Sequence, residues 1–178
     1  MPLRRRCVDV LPLVLLPSLF FSACGYRVAG RGDQIPKDVQ TIAVLPFGNA
    51  TSRYKLDEYL TRAVTHEFIT RTRFRITPDE KDADAVLRGA VINLLVNPVI
   101  YDPKSGRATS VQLVTQMQVT LSDRHSGKVI YQNQNFESRE NYEVSIDPRA
   151  YFEESEVGLQ RLSQSVSRNL VSAILEKF

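Results

Sequence analysis

Residues 109–121 read TSVQLVTQMQVTL, the most regular stretch of the chain. Val111, Leu113, Met117, Val119 and Leu121 alternate with Gln112, Gln116, Gln118 and Thr120; Thr115 joins the apolar set and Val114 is the one exception. Side chains of a strand point to opposite faces with period two, so the pattern predicts a strand with one buried face and one polar, nearly uncharged face. The turn His125-Ser126-Gly127 then predicts an antiparallel return over 128–136, where Gln132, Asn133, Gln134 and Asn135 again supply amides. On the other side, 85–101 reads as a long extended stretch, with Gly89 inside it marking a bulge or a close backbone approach. The segment DPKSGR at 102–107 is a turn by composition.

Further out, TIAVLPF at 41–47 predicts a short strand buried on both faces, closed by Pro46 and the pair Gly48-Asn49. Leu56, Tyr59, Leu60, Ala63, Val64 and Phe68 share one stripe of a helix, with Asp57, Arg62, Glu67 and Arg71 opposite. Residues 74–76 predict another short strand. Asp147-Pro148 is a helix-start signal, an acceptor followed by proline at the first helical position. Glu153, Glu154 and Glu156 near that start and Lys177 near the end match the helix dipole, and Leu159, Leu162, Val166, Leu170 and Ile174 form the apolar stripe. The order predicts an α/β (α+β) two-layer sandwich: two helices on one face of a mixed four- to five-stranded sheet.

The chain has 178 residues, which suggests one domain or at most two. Its 43% apolar and 24% charged residues argue against a disordered chain. Two cysteines exclude a disulfide-dense scaffold and a four-cysteine zinc site. At the start, Arg4, Arg5 and Arg6 precede the apolar run 10–21, then Ser22, Ala23 and Cys24. A basic start, a short apolar middle and a small-residue exit make up a secretory signal peptide; a run of twelve is too short to span a bilayer. Removing 1–23 takes away three Arg and one Asp, leaving 20 basic and 19 acidic residues, a net charge of +1. That is no nucleic-acid footprint, which needs clustered basic charge on the folded domain. Cys24 is then the sole cysteine, and its setting resembles a bacterial lipobox, in which the thiol is lipidated and becomes residue one. Several acyl chains anchor firmly where one does not, at about 0.8 kcal/mol per buried methylene. Ordinary cleavage after Ala23 is the other reading. The expected layout is a signal peptide at 1–23, a lipidated lead-in at 24–39, and one domain at 40–178.

No reaction centre is legible. Gly30-Arg31-Gly32 does not lie between a strand and a helix, as a dinucleotide site requires, and no G-x-S-x-G elbow occurs. His66-Glu67 lacks the second histidine of a zinc-protease motif, since position 70 is Thr70. His125 lies in a tight turn. Asp79, Glu80, Asp82 and Asp84 lack the spacing of a calcium loop and read as a solvated acidic loop. No catalytic residue, metal ligand or cofactor is expected. Two features stand out. The amide face of Gln112, Gln116, Gln118, Gln132 and Gln134 supplies donors and acceptors without the desolvation penalty of charge, which suits contact with a polar protein surface; solvent exposure alone also accounts for it. Lys104 and Arg107, in the turn between long strands, can pair with phosphates or carboxylates, or be merely solvated.

Cys24-Gly25-Tyr26-Arg27, then Gly30, Ile35-Pro36 and TIAVLPFGNAT at 41–51, resemble the LptE family of lipopolysaccharide-assembly lipoproteins. The likeness continues through the first helix and DADAVLRG at 82–89 to the last helix. The resemblance implies a lipoprotein anchored through Cys24 at the periplasmic face of the outer membrane, with Gly25 permitting that sorting. It also implies no enzyme activity, a seat as a plug inside an LptD-type β-barrel, and delivery of lipopolysaccharide to the outer leaflet. Lys104 and Arg107 lie where the family places a basic residue implicated in lipopolysaccharide binding. The phrase IAVLPFGN is also similar to the opening strand of CsgG-like and penicillin-binding-protein-activator lipoproteins, the competing reading.

Overall fold

The computed structural model describes residues 35–143 and 150–176. The leader, Cys24 and the lead-in through Gln34, the helix-start pair Asp147-Pro148, and Lys177 lie outside those residues, as do the side chains of Glu153 and Glu154.

Six strands and two helices follow in the order β1 (Thr41–Val44), β2 (Gly48–Asn49), α1 (Leu56–Arg71), β3 (Arg75–Thr77), β4 (Ala85–Tyr101), β5 (Ala108–Asp123), β6 (Val129–Glu143) and α2 (Ala150–Leu175). The sheet is mixed and ordered β3-β1-β4-β5-β6, with β2 also on β4. β1 is parallel to β3 and to β4, and β4, β5 and β6 form an antiparallel meander. Both helices pack on one face, making the expected α+β sandwich, with one strand more than the upper expectation. The addition is β2. Gly48 and Asn49 close β1 as expected, but they also pair with Ala90 and Val91 of β4.

The core follows from the apolar stripes. Leu56, Leu60, Val64 and Phe68 of α1 and Leu162, Val166, Leu170 and Ile174 of α2 are buried against Leu87, Val91, Met117, Val119 and Leu121 of the sheet. Each such side chain contributes roughly 1.5–3 kcal/mol when fully buried. β1 is buried on both sides: Ile42 joins this core, and Ala43 packs with Ala83 and Val86 on the opposite side. The Thr61 hydroxyl receives the Phe47 N–H at 3.0 Å and donates to the Asp57 carbonyl at 2.7 Å, tying the exit of β1 to α1. The far ends of the helices are joined by Arg71, whose Nη1 donates to Ser172 Oγ at 2.9 Å and to Glu67 Oε1 at 3.2 Å.

β6 runs seven residues beyond the predicted 128–136, through ESRENYE. Two of its added helix-facing residues, Ser138 and Glu140, are polar and have partners on α2. Ser165 Oγ donates to Glu140 Oε2 at 2.7 Å, and Asn169 Nδ2 donates to Ser138 Oγ at 3.0 Å.

Candidate functional site

The partners of β4 change along its length. β1 and β2 line one edge of it only as far as Val91, and the backbone of Ala50 donates the last bond, to the Val91 carbonyl at 2.9 Å. Beyond that point β5 continues to pair with β4, and the other edge of β4 has no strand among the described residues. β4 and β5 thus extend as a two-stranded arm with β6 alongside.

A bulge at Ile92 sets what this arm presents. Val91 pairs with Met117 and Asn93 with Gln116, so Ile92 is an extra residue and the alternation of β4 reverses. Directly paired residues share a face. Leu94 and Val96 therefore turn to the helix side with Thr115 and Leu113, and Asn93, Leu95 and Asn97 join the amide side. Without the bulge the two asparagines would face the helices. Past Leu94 the helices no longer cover the strand: Val96 is 56% and Ile100 58% exposed, and Leu95, Val99 and Tyr101 are exposed too. Unpaired strand edges and contiguous apolar patches are surfaces that proteins normally cover. The sequence LLVNPVIY had given no hint of exposure, because that depends on where β1 and β2 stop.

The structure brings Gln112, Gln116 and Gln118 of β5 onto one open face of the sheet, and Gln132 joins them opposite Thr120. Gln134 and Asn135 lie in a β6 bulge facing Gln118. The register builds two polar rows across three strands, Asn97–Gln112–Asn141 and Asn93–Gln116–Glu137. Gln112 Nε2 donates to Asn141 Oδ1 at 3.4 Å, and Asn93 Nδ2 to Gln116 Oε1 at 3.5 Å. Glu137 is held below the usual carboxylate range by its bond from Arg139, with a smaller contribution from Gln116. Val114, the exception in the sequence pattern, lies on this face between Leu95 and Arg139 and is only 6% exposed.

At the tip of the arm, Asp102 organises the turn. Its Oδ1 accepts the Lys104 N–H at 2.7 Å and its Oδ2 the Ser105 hydroxyl at 3.1 Å. Those bonds lower its pKa, the Lys104 N–H most. Gly106 takes φ +67°, which favours glycine, and donates to the Asp102 carbonyl at 2.8 Å. The turn presents Lys104 and Arg107, both exposed, at the end of the apolar edge.

The other sequence candidates have structural positions. Asp79 accepts the Lys81 N–H, Glu80 pairs with Arg88 at 2.6 Å, and Asp84 binds two backbone N–H groups. His125 Nε2 lies 3.9 Å from Asp84 Oδ1, and His66 lines a groove between the helices. Among the described residues no three His, Cys, Asp or Glu side chains gather as metal ligands, and no helix is long and apolar enough to cross a membrane.

These features define a two-layer α+β module that offers surfaces: an apolar strand edge, an amide-covered sheet face and a cationic turn. The chain belongs to the LptE lipopolysaccharide-assembly family, whose sequence model matches residues 39–175. At family level it is a lipopolysaccharide-assembly lipoprotein, and the family is non-catalytic and works with LptD. No curated protein matches by sequence. Solved structures with a TM-score above 0.5 share the fold. An uncharacterized lipoprotein B from Nitrosomonas europaea is 12% identical over 85% of this chain and 90% of its own, with a TM-score of 0.51. A hypothetical protein from Chlamydia trachomatis is 9% identical over 78% and 99%, with a TM-score of 0.51. The rare lipoprotein B from Shewanella oneidensis is 16% identical over 77% and 92%, with a TM-score of 0.47.

Proposed function

We propose that this chain is the outer-membrane lipoprotein subunit of a lipopolysaccharide translocon. Residues 1–23 are removed, Cys24 is lipidated, and residues 40–178 act as one domain at the periplasmic face, seated as a plug in an LptD-type β-barrel. The observation that carries the reading is the β4–β5 arm. An open strand edge that past Leu94 carries five exposed large apolar side chains asks for a partner, and that edge ends in Lys104 and Arg107. In this reading Leu95, Val96, Val99, Ile100 and Tyr101 pack against the barrel or its loops. Gln112, Gln116, Gln118, Gln132 and Gln134 make hydrogen bonds to the inner wall without burying charge. Lys104 and Arg107 meet phosphates of lipid A, where charge-assisted bonds are roughly twice as strong as neutral ones.

A detergent pull-down of the tagged full-length chain from outer membranes of its own source, with mass spectrometry of the partners, tests it. A near-stoichiometric large β-barrel protein with a periplasmic domain is the expected result. Self-oligomers alone would favour a CsgG-like pore. A cell-wall synthase would favour the activator reading and remove the plug.

A further inference from the structure

The cations at the opposite end of the sheet are not absorbed by that function. Residues 70–77 read TRTRFRIT, an alternation of arginines through the end of α1 into β3. Arg71 is used between the helices. Phe74 is buried in the core, so its chain neighbours Arg73 and Arg75 are both left outside. Lys37, Val39, Gln40, Arg73, Phe74 and Arg75 line one cleft of about 370 Å³. Arg75 donates its backbone N–H to the Gln40 carbonyl at 2.9 Å, clamping the segment that carries Lys37 against β3. The Arg73 guanidinium lies over the Phe74 ring, 5.8 Å from its centre, and is thereby held in place.

Among the described residues no carboxylate lines the cleft. Asp84, the acid bonded to Gln40, spends Oδ2 on two backbone N–H groups, and neither Asp38 nor any other acid forms an ion pair with Lys37, Arg73 or Arg75 among the described residues. Three cations lining one concave site with no counter-charge among the described residues form an anion site, and guanidinium forks match phosphate oxygens. The position of the site selects the anion. Lys37 is thirteen residues after Cys24, so at full extension the cleft stays within about 45 Å of an anchor at that cysteine. We propose that Lys37, Arg73 and Arg75 form a cleft for phosphodiester headgroups of anionic phospholipids in the leaflet that holds the anchor, fixing how the domain sits on the membrane. The proposal rests on the lipid-anchor reading of Cys24. The arm with Lys104 lies at the far end of β4, so the cleft and the arm engage the leaflet and the barrel through separate surfaces.

The test uses the full lipidated chain in nanodiscs of phosphatidylcholine, with and without phosphatidylglycerol, and follows amide hydrogen exchange of 36–41 and 72–77. Phosphatidylglycerol should slow exchange of both segments several-fold. The effect should vanish in Lys37→Gln/Arg73→Gln/Arg75→Gln, and in the unaltered chain at about 1 M salt, where screening falls to roughly 3 Å. The salt arm needs no substitution and so stands if the variant fails to fold. Equal exchange in the two kinds of disc overturns the proposal. Equal slowing by inorganic phosphate in phosphatidylcholine discs overturns the membrane source and leaves a soluble-phosphate site. Co-elution with the discs reports the anchor separately. Loss from neutral discs with retention on anionic ones removes the anchor and supports the cleft, and loss from both removes both.

Discussion

The ring of Phe47 fills the space beside Gly89 in which a side chain would stand: a Cβ there would lie 2.3 Å from Phe47 Cε1 and 2.7 Å from Cδ1. The contact locks the crossing from β1 to β2 onto β4. Phe47 is buried and its N–H is held by Thr61, so the ring has little room to withdraw. Gly89→Ala should therefore destabilise the domain by about 2 kcal/mol through overpacking. Phe47→Ala should cost about 3–5 kcal/mol for a lost core aromatic. Denaturant midpoints of the two single variants and the double variant give the check. The double should cost clearly less than the sum, because each change removes the reason for the other's penalty. Additive costs would mean that the ring does not depend on the glycine.

That contact also shows how far the sequence could be read. A lone glycine inside a strand pattern signals a bulge or a close approach, and here the close approach is to Phe47. The long strands and the buried face of 109–121 were legible because their periods are long and clean. The rest of β6 was not, because Ser138 and Glu140 face α2 as hydrogen-bonding partners and carry no apolar period. The exposed edge of β4 was hidden for a different reason. Leu94 to Tyr101 looks like core until one knows that a bulge reverses its faces and that β1 and β2 end below it. The basic cleft joins residues 37 and 75, a proximity that only the parallel pairing of β1 with β3 creates.

Asp84 pins the start of β1 to the start of β4. Its Oδ2 accepts the N–H groups of Gln40 and Thr41, each at 2.9 Å, and these bonds, Gln40's first, hold its carboxyl below the usual aspartate range. A depressed folded pKa contributes stability above the unfolded value, and that stability is lost as pH falls through the folded value. Asp84→Ala should cost about 1 kcal/mol at pH 7. This is below the usual range for a charged acceptor, because the side chain is 36% exposed. The gap between variant and parent should close as pH is lowered below the ordinary aspartate range. Urea midpoints measured from pH 7 downward check it, and a gap independent of pH would show that the carboxylate charge is not what holds β1.

Thr115 faces the helices from β5, is 1% exposed, and its hydroxyl has no hydrogen-bond partner among the described residues. A buried hydroxyl left unpaired costs roughly 1–3 kcal/mol. Thr115→Val keeps the shape of the side chain and its strand preference while removing that group. Its thermal midpoint should rise, corresponding to about 1 kcal/mol of added stability. Thr115→Ser should not share the gain, since it keeps the hydroxyl and loses a methyl. A lower midpoint for the valine variant would indicate that the hydroxyl is satisfied in solution.

The arm allows partner contact to be separated from folding. Ile100 is exposed in the isolated chain, so Ile100→Asp should change its stability by no more than about 0.5 kcal/mol, the usual range for a surface position. If the barrel covers this edge, the same change buries an unpaired carboxylate and should weaken recovery of the barrel at least tenfold, read by quantitative co-purification. Charge reversal at the tip acts on a different partner. Lys104→Glu with Arg107→Glu should keep the Asp102 turn, because the Asp102 and Ser105 bonds to these two residues run through their backbone N–H groups and the Arg107 carbonyl. Lipopolysaccharide binding by the double variant should fall most at low ionic strength, and the difference from the parent should shrink as salt rises. Equal affinity of parent and variant at two ionic strengths would remove lipid A from the tip, while the co-purification result for Ile100→Asp would still decide whether the edge meets the barrel.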